Sequence, residues 1–475
     1  MFGVELVSEF IEKFKNRRIL VYFDPDVDGL FSGYFVCELL QKLGLQYTYF
    51  VNSKRQHGFT LQPSAVEGFF IIAVDFGISA SLVKSLVEHN VALLSLDHHD
   101  IQKDFIYFKS DKTDAEGVVL NNQYPFEDRD KSFLSGAGVV YEGICANYPD
   151  FKSDERDAIV GITLLSDAVP IENMQARKYL SKTFSADTQK GYIGYLVKNT
   201  MEADYGFGVP KLDRNFIDYT FSPRVNSLLR FGRESEALNF VLGRGLTTVN
   251  TRKLQKDYVQ YLISIADIKD YSNLRIVCCD VTKIAPEYRN IDISCFIGTV
   301  CSKLKAESGN CIAYVLDNGV VTRASFRGKY SDIHYRVALK GYGLDAEGHP
   351  SAFGILNLEP NEELCVALND IIYELEKDHQ QTFKIITSPN LSMTMIQSGM
   401  NMAYENCYVR DMFRTYIKYT GSNFRVSIDR ENYREYTVDG RPVKCFDKEL
   451  NPSNAYILPM LEKGHVALYL QKAVF

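Results

Sequence analysis

Carboxylate and imidazole side chains recur at four places in the first third of the chain, each at or just after a short apolar run. The four segments are D-P-D-V-D-G at 24–29, V-D-F-G at 74–77, L-D-H-H-D at 96–100 and L-S-D-A-V-P at 165–170. Oxygen-rich ligands with a little imidazole favour Mn²⁺ or Mg²⁺ over structural zinc. A pair of such ions can assist the hydrolysis of a phosphodiester. The four segments together therefore predict a two-metal phosphoesterase site.

Side-chain spacing suggests a part for each acid. Asp24 and Asp26 lie two residues apart on an extended segment. Their side chains should therefore point the same way, which suits one carboxylate for each ion. Asp75 follows FFIIAV and is placed to bridge the ions, and Asp167 would supply a last ligand. Asp28 is either a third acid on the same face or a residue that orients the ligands.

Asp97, His98 and His99 follow the apolar run VALLSL. Adjacent histidines at a strand end cannot easily aim at one metal, so we expect His98 to be a ligand and His99 to orient it or to contact phosphate. Each acidic segment taken alone has a plainer interpretation as a solvated turn or a helix cap. The histidine pair between two acids, and the order of all four segments, argue against coincidence.

The apolar runs also predict the elements that position these residues. Segments 18–23, 69–74 and 91–96 are predicted strands, alternating with helices over 32–43 and about 79–88. This alternation predicts right-handed βαβ units and a mostly parallel sheet, which binds ligands at the carboxyl ends of its strands. Further along, 132–179 and 211–268 are predicted to be helical. A second α/β pattern begins near Leu274, and a β-containing module is expected after about residue 383.

Composition is that of a globular protein with several domains. A length of 475 residues suggests roughly two to four domains, and no run approaches the about 18 apolar residues of a membrane span. The amphipathic start does not resemble a secretory signal, and ten cysteines without C-x-x-C spacing favour buried reduced thiols. We therefore expect a cytoplasmic protein that does not enter a membrane.

A net charge of -7 argues against a general electrostatic coat for nucleic acid, but not against a local basic track. Basic residues are concentrated in two segments, and a polyanion could use both. The alternative is that they are solvated helix faces. The first segment contains Arg224, Arg230, Arg233, Arg244, Arg252, Lys253 and Lys256, and the second contains Arg323, Arg327, Lys329, Arg336 and Lys340.

From residue 18 to about 358 the chain resembles the DHH phosphoesterase superfamily, and within it the RecJ-type single-strand-specific exonucleases. The segment GITLLSDAVPIENMQARKYL at 161–180 is similar to the RecJ form of the last catalytic motif. The resemblance implies two Mn²⁺ or Mg²⁺ ions held by Asp24, Asp26, Asp75, His98 and Asp167. The positions that match the superfamily motifs, and are implied to be catalytic, are Asp24, Asp26, Asp75, Asp97, His98, His99 and Asp167.

The resemblance also implies substrate contacts. NNQYPF at 121–126 is similar to an Asn-rich RecJ loop and points to Asn121. FSPRVNSLLRFG at 221–232 resembles the RecJ connector motif, and SFRGKYSDI and EGHPSAFG resemble the DHH-associated domain. The first of these implies that single-stranded DNA contacts Arg224, Asn226 and Arg230, and the other two imply that Arg327 and His349 hold a substrate phosphate.

Two features depart from the RecJ pattern. Tyr22 stands two residues before Asp24, where RecJ-like proteins usually have a histidine, so the coordination of the first metal could differ. The glycines before His349 are reduced to Gly341, Gly343 and Gly348, which could change the shape of the phosphate cradle.

The predicted architecture is α/β and two-lobed. It consists of a mostly parallel-sheet DHH domain (1–190), a helical connector (191–270), a smaller α/β DHH-associated substrate-binding domain (271–380) and a C-terminal β-containing module (381–475), OB-like in one interpretation. The predicted function is 5′-to-3′ exonuclease action on single-stranded DNA in recombination or repair, with repair or replication proteins as further partners. Two alternatives stay open: a DHH phosphodiesterase acting on short oligonucleotides or cyclic dinucleotides, and a weakly active RecJ-like scaffold.

Overall fold

The computed structural model divides the chain into two compact units, Met1–Arg252 and Lys253–Phe475. It describes residues 3–53, 58–99, 105–124, 134–167, 169, 174–200, 212–245, 250–330, 333–379, 384–388, 391, 415–430, 433–452, 455–462 and 465–471. Within these ranges, no helix has the length and hydrophobicity to cross a bilayer. The cysteines in these ranges are free thiols, most of them buried.

A six-stranded sheet forms the centre of the first unit. Its strands are β1 (Arg18–Phe23), β2 (Tyr47–Val51), β3 (Phe69–Val74), β4 (Ala92–Asp97), β5 (Tyr107–Lys109) and β6 (Glu116–Asn121). The order is β2-β1-β3-β4-β6-β5, and only β5 runs antiparallel to its neighbour. The apolar runs that predicted β1, β3 and β4 are buried almost throughout, as expected for a parallel sheet covered on both faces.

Helices follow the strands, and several begin at a side chain that caps the helix. They are α1 (Leu6–Phe14), α2 (Val27–Lys42), α3 (Ala80–Glu88), α4 (Gly136–Asn147), α5 (Asp154–Ser166), α6 (Met174–Ser185), α7 (Gly191–Thr200), α8 (Arg214–Phe216), α9 (Ser222–Arg230), α10 (Glu234–Val241) and α11 (Thr251–Ile265). Asp26 Oδ1 accepts a hydrogen bond from Gly29 N at 3.0 Å, and Ser135 Oγ accepts one from Gly138 N at 3.2 Å. These caps fix where α2 and α4 begin.

Strand β6 is absent from the sequence-based expectation, although it pairs with β4 inside the sheet. Its apolar run is short, and its first residue, Glu116, is buried between Lys13 at 2.8 Å and Lys109 at 3.1 Å. Because Lys13 and Lys109 lie outside this strand, a buried glutamate at its start could not be predicted from the local pattern. The strand matters for the site because it places Asn121 opposite Asp97.

The second unit contains two sheets. The first comprises β7 (Asp267–Asp270), β8 (Arg275–Asp280), β9 (Cys311–Asp317), β10 (Val320–Arg327), β11 (Ala346–His349) and β12 (Ala352–Ile355), in the order β11-β12-β10-β9-β8-β7. Its helices are α12 (Ile297–Ser308), α13 (Tyr335–Gly341) and α14 (Glu362–Glu376). Of its strand pairs only β8–β9 is parallel, so this sheet is mixed.

The last sheet has seven strands in the order β13-β14-β18-β19-β17-β16-β15. They are β13 (Lys384–Ser388), β14 (Thr415–Tyr419), β15 (Phe424–Asp429), β16 (Arg434–Val438), β17 (Arg441–Cys445), β18 (Tyr456–Glu462) and β19 (His465–Gln471). Ile417, Val438, Val443 and Ile457 belong to its core. The predicted α/β class with a C-terminal β-containing module is therefore confirmed, and the four domain boundaries stay predictions.

Candidate active site

Acidic and histidine side chains converge at the carboxyl ends of β1, β3 and β4. They form three groups in which one ligand atom from each member lies within 4.8 Å of the others: Asp24–Asp26–Asp75, Asp75–His98–His99 and Asp28–His98–Asp167. Because Asp75 and His98 each belong to two groups, the three groups form one continuous cluster. All five predicted metal ligands lie in it, together with Asp28 and His99.

Asp75 is the most constrained member of this cluster. Its backbone has a left-handed φ of 65°, and its N–H donates to Leu96 O at 3.0 Å, one residue beyond the end of β3. Its side chain is 3% exposed, and Oδ1 has no hydrogen-bond partner among the described residues. Burial, followed by the charges of Asp28 and Asp26, raises the pKa of Asp75 well above its usual range. A buried oxygen in this condition is suited to a cation.

His98 presents one ring nitrogen to the acids. Its Nδ1 lies 3.0 Å from Leu134 O, and because a carbonyl can only accept, Nδ1 carries a proton. Its Nε2 lies 3.2 Å from Asp75 Oδ1, 3.5 Å from Asp167 Oδ2 and 3.9 Å from Asp28 Oδ2. Burial alone would lower the pKa of His98, but Asp167 and Asp28 raise it. The backbone contact thus fixes the tautomer that a metal ligand requires.

Asp28 is held by the first turn of α4. Its Oδ2 accepts a hydrogen bond from Gly136 N at 2.6 Å and its Oδ1 accepts one from Ala137 N at 3.0 Å. Burial, followed by the charge of Asp167, raises the pKa of Asp28 to about 7. The sequence left Asp28 open as a third acid or an orienting residue, and it was missing from the predicted ligand set. The only available signal was its spacing of two residues from Asp26.

Gly136 is needed for the placement of Asp75. A Cβ atom at this position would lie 2.2 Å from Asp75 Oδ1, closer than real side chains approach. The glycine therefore lets the backbone of α4 come against the carboxylate, while its own N–H bonds to Asp28. Gly136 therefore helps to place both Asp75 and Asp28.

Asp97 and His99 form a pair at the edge of the cluster. Asp97 Oδ1 accepts from His99 Nδ1 at 2.8 Å and from His99 N at 3.3 Å. Burial alone would raise the pKa of Asp97 and lower that of His99. Their mutual attraction overcomes this, lowering the pKa of Asp97 and raising that of His99 to about 10. The His99 side chain is 52% exposed, so it presents a positive charge at the edge of the cluster.

Asn121 supports the same segment from β6. It is fully buried, its Nδ2 donates to His99 O at 2.9 Å, and its Oδ1 accepts from Gln123 N at 2.9 Å. Its amide therefore holds the backbone that carries the histidine pair. A direct contact between Asn121 and substrate stays a prediction.

The chain is similar to known proteins in both sequence and fold. Residues 18–168, which span all four acidic segments up to Asp167, match the DHH family, N-terminal domain. The structure of RecJ from Thermus thermophilus in complex with Mn²⁺ has a TM-score of 0.66 and is 17% identical, covering 99% of this chain and 70% of that chain. Residues 18–168 are a DHH N-terminal domain, and the chain has a RecJ-like fold.

Two further comparisons agree with this assignment. The Mg²⁺ complex of Thermus thermophilus RecJ has a TM-score of 0.60 and is 15% identical, covering 99% of this chain and 69% of that chain. The single-stranded-DNA-specific exonuclease RecJ of Bacillus subtilis (strain 168) is 22% identical over 239 residues. That match spans 48% of this chain and 28% of the Bacillus protein. The DHH relationship supports phosphoesterase or nuclease activity.

The donor set of this DHH domain fits hard divalent cations. Its ligand atoms are carboxylate oxygens with one imidazole nitrogen of fixed tautomer, and the buried Asp75 Oδ1 accepts no hydrogen bond from the described residues. Such oxygen-rich sites favour magnesium or manganese.

Tyr22, which stands where RecJ-like sequences usually have a histidine, lies in the core of the DHH domain. Its ring packs against Phe50, Phe59 and Phe76 at centroid distances of 5.2, 4.8 and 5.0 Å. Its hydroxyl accepts from Thr60 N at 3.0 Å. Tyr22 therefore attaches the segment after β2 to the sheet.

The residues of the first unit that are predicted to contact single-stranded DNA lie on α9. Arg224 is buried in its first turns, and Arg230 is its last residue. Asn226 Oδ1 is buried and has no hydrogen-bond partner within the described part of the chain. All three stay predictions, as do Arg327 and His349 of the second unit.

Arg327 ends β10, and its Nη1 donates to Ser325 Oγ at 2.8 Å and to Phe326 O at 2.7 Å. Burial lowers the pKa of Arg327. A Cβ on Gly298 would lie 2.7 Å from the Arg327 guanidinium, so this glycine makes room for it. His349 ends β11, and its side chain lies outside what the structure describes.

We expect Gly136→Ala to weaken Mn²⁺ binding by about tenfold or more, because the added methyl group must displace Asp75. Isothermal titration calorimetry would measure the affinity, and circular dichroism would verify the fold. Gly138→Ala is the matched control in the same helix turn, since its methyl group meets only Leu134 and Val160 carbons at 3.2–3.5 Å. Equal Mn²⁺ affinities in the two variants would contradict this account of Gly136.

We expect Tyr22→Phe to leave Mn²⁺ affinity within about twofold of wild type, while lowering the free energy of unfolding by about 1 kcal/mol. The reason is that the lost hydroxyl bonds to Thr60. Chemical denaturation and metal titration test the two effects separately. A loss of Mn²⁺ affinity with unchanged stability would show that Tyr22 acts at the metals.

Proposed function

We propose that this protein is a metal-dependent exonuclease that degrades single-stranded DNA from the 5′ end and releases mononucleotides. The observation that carries the proposal is the cluster of five acids and two histidines inside a DHH domain of RecJ-like fold. A role in recombination or repair, with repair or replication proteins as partners in the cytoplasm, belongs to the same proposal.

Two sets of donors would hold two Mn²⁺ or Mg²⁺ ions. When bound, such ions polarise phosphoryl oxygens and lower the pKa of water, which is the chemistry that phosphodiester hydrolysis requires. The sets are Asp24, Asp26 and Asp75 on one side and Asp28, His98 and Asp167 on the other.

His99 is assigned to the substrate phosphate. Its raised pKa of about 10 keeps it protonated at neutral pH, and its half-exposed ring can reach a ligand. The Asp97 carboxylate holds Nδ1, which leaves the Nε2–H to donate to a phosphate oxygen. Asp97 thus acts by orienting His99.

Helix α9 is assigned to binding the phosphate backbone of single-stranded DNA. Arginine guanidinium groups can bond phosphate oxygens through two parallel N–H groups, which suits Arg224 and Arg230. Asn226 Oδ1 is buried and accepts no hydrogen bond from the described residues. This supports the proposal that the Asn226 amide binds a donor group of the DNA. In the second unit, the Arg327 hydrogen bonds go to neutral oxygens, which leaves its charge for a phosphate beside His349.

The C-terminal sheet is assigned to base stacking. Strands β14 and β15 follow one another directly, and β17 pairs with β19 in parallel. If β14 and β15 are two halves of one bent strand, the order closes into the five-stranded ring of an OB fold, a fold that binds oligonucleotides.

One face of this sheet carries a row of rings, Tyr433, Phe446 and Tyr469. The centroid distances are 5.9 Å between Tyr433 and Phe446 and 5.9 Å between Phe446 and Tyr469. Lys444 lies 6.0 Å from the Tyr469 ring and Arg430 lies 5.8 Å from the Tyr433 ring. Aromatic rings flanked by cations are a typical platform for unstacked bases.

We expect the wild-type protein with Mn²⁺ to release labelled mononucleotide first from a long 5′-labelled single strand, and EDTA to stop the reaction. Asp75→Asn should lower kcat by about a hundredfold or more, because an amide would replace a buried carboxylate that would hold a metal ion. Asp187→Asn is the control, since Asp187 is an exposed acid of the same unit. Gel analysis of the products measures the reaction of the wild type, with and without EDTA, and of both variants.

The same assay separates the alternatives. Faster hydrolysis of dinucleotides or cyclic dinucleotides than of the long strand would favour a small-substrate DHH phosphodiesterase. Equal inactivity of wild type and Asp75→Asn with Mn²⁺ and with Mg²⁺ would favour the scaffold.

We expect Phe446→Ala to weaken binding of a single-stranded oligonucleotide by about fivefold or more, as the loss of one stacked base predicts. Fluorescence anisotropy in EDTA measures binding without hydrolysis. Val426→Ala is the control, because Val426 is 55% exposed on the same sheet but lies outside the aromatic row. Wild-type affinity in Phe446→Ala would remove the C-terminal sheet from the proposed binding surface.

A further inference from the structure

Helix α9 does not begin as an ordinary α-helix. It continues directly from a π-helical turn, Ile217–Phe221, in which Ser222 N donates to Ile217 O. Pro223 follows at once and has no N–H to donate, so the wider turn lies where an α-helical hydrogen bond cannot form. π-helical turns are rare and are found frequently at functional sites. The turn directly precedes the helix that carries Arg224 and Arg230.

A hydroxyl pair fixes the start of α9 to the end of α5. Ser222 Oγ and Ser166 Oγ lie 2.6 Å apart. Ser166 Oγ donates its only proton to Ile162 O at 2.9 Å, so it accepts from Ser222 in the pair. Both hydroxyls are part-buried, and the direction of the bond is determined by the α5 carbonyl.

Ser166 is the residue immediately before Asp167. Asp167 directly follows α5, and its N–H donates to Thr163 O at 2.9 Å. The backbone of Ser166 therefore leads straight into the residue that carries the Asp167 carboxylate. On its other side, the π-helical turn stacks Phe221 on Phe31 of α2 at 6.1 Å. The start of α9 is thus attached to both helices that carry acids of the metal cluster, α2 and α5.

We propose that the Ser222–Ser166 hydrogen bond is a positioning contact that couples metal binding at Asp167 to strand binding by α9. The part of this inference that concerns DNA binding rests on the proposed function. Coupling between two sites is reciprocal, so a strand bound on α9 should tighten Mn²⁺ binding, and Mn²⁺ should tighten strand binding by the same factor. Neither serine needs to touch metal or strand.

The test measures Mn²⁺ affinity of the full chain by calorimetry, with and without a phosphorothioate single strand that resists hydrolysis. We expect the strand to tighten Mn²⁺ binding in wild type. Ser222→Ala should lower this tightening by about twofold to tenfold, the range that one net hydrogen bond provides. Ser166→Ala should lower it equally, and the double variant no further, because both changes remove the same bond.

Two variants separate positioning from general loosening of the helix. Thr183→Ala removes a hydroxyl of α6 that donates to Ala158 O of α5 at 2.8 Å, away from α9. It should lose thermal stability but keep the wild-type coupling, and Ser222→Thr should restore the coupling because it keeps a hydroxyl. Wild-type coupling in Ser222→Ala, or equal loss in Thr183→Ala, would overturn the inference.

A wild-type protein that binds no strand would instead overturn the proposed function and the coupling with it. A protein that binds the strand and retains full coupling in Ser222→Ala would overturn the coupling alone. The two failures are therefore distinguishable by the strand-binding arm.

Discussion

The first unit depends on keeping several carboxylates buried around one imidazole. Asp28 and Asp75 are 2% and 3% exposed, and both face His98 Nε2. Like charges about 4 Å apart repel by about 4 kcal/mol at the effective dielectric constant near a protein surface. Such a cluster does not stabilise the fold, and a divalent cation is the natural compensation for it. The surrounding elements must therefore hold the acids in place while no cation is bound.

Four consecutive residues, 134–137, provide many of these contacts. The Leu134 carbonyl fixes the His98 proton, Ser135 caps α4, Gly136 leaves room for Asp75, and the N–H groups of Gly136 and Ala137 bind Asp28. The helix N-terminus adds its partial positive charge to these contacts. One short segment thus supports three of the clustered side chains, so a substitution there would disturb several of them together.

The sequence was most informative where an acid directly follows a buried strand. Asp75 and Asp97 follow runs so apolar that strand and carboxyl end were both predictable, and parallel pairing then required the acids to meet. The sequence was least informative where the role of a residue depends on a contact with a residue far away along the chain. Asp28 is bound by backbone more than a hundred residues away, β6 is concealed by a buried glutamate, and Tyr22 is defined by Thr60. No local pattern contains such information.

The charge distribution limits how a polyanion could be bound. The chain has a net charge of -7, and five of its acids are clustered where the scissile phosphate would lie in the proposed reaction. Without cations this cluster repels a phosphate, so strand binding next to it should depend on metal. In the proposed function the aromatic row of the C-terminal sheet binds bases by stacking, which requires no metal ion. The proposed function therefore divides into metal-independent capture on the sheet and metal-dependent binding at the acids, and the coupling proposed for Ser222 and Ser166 belongs to the second step.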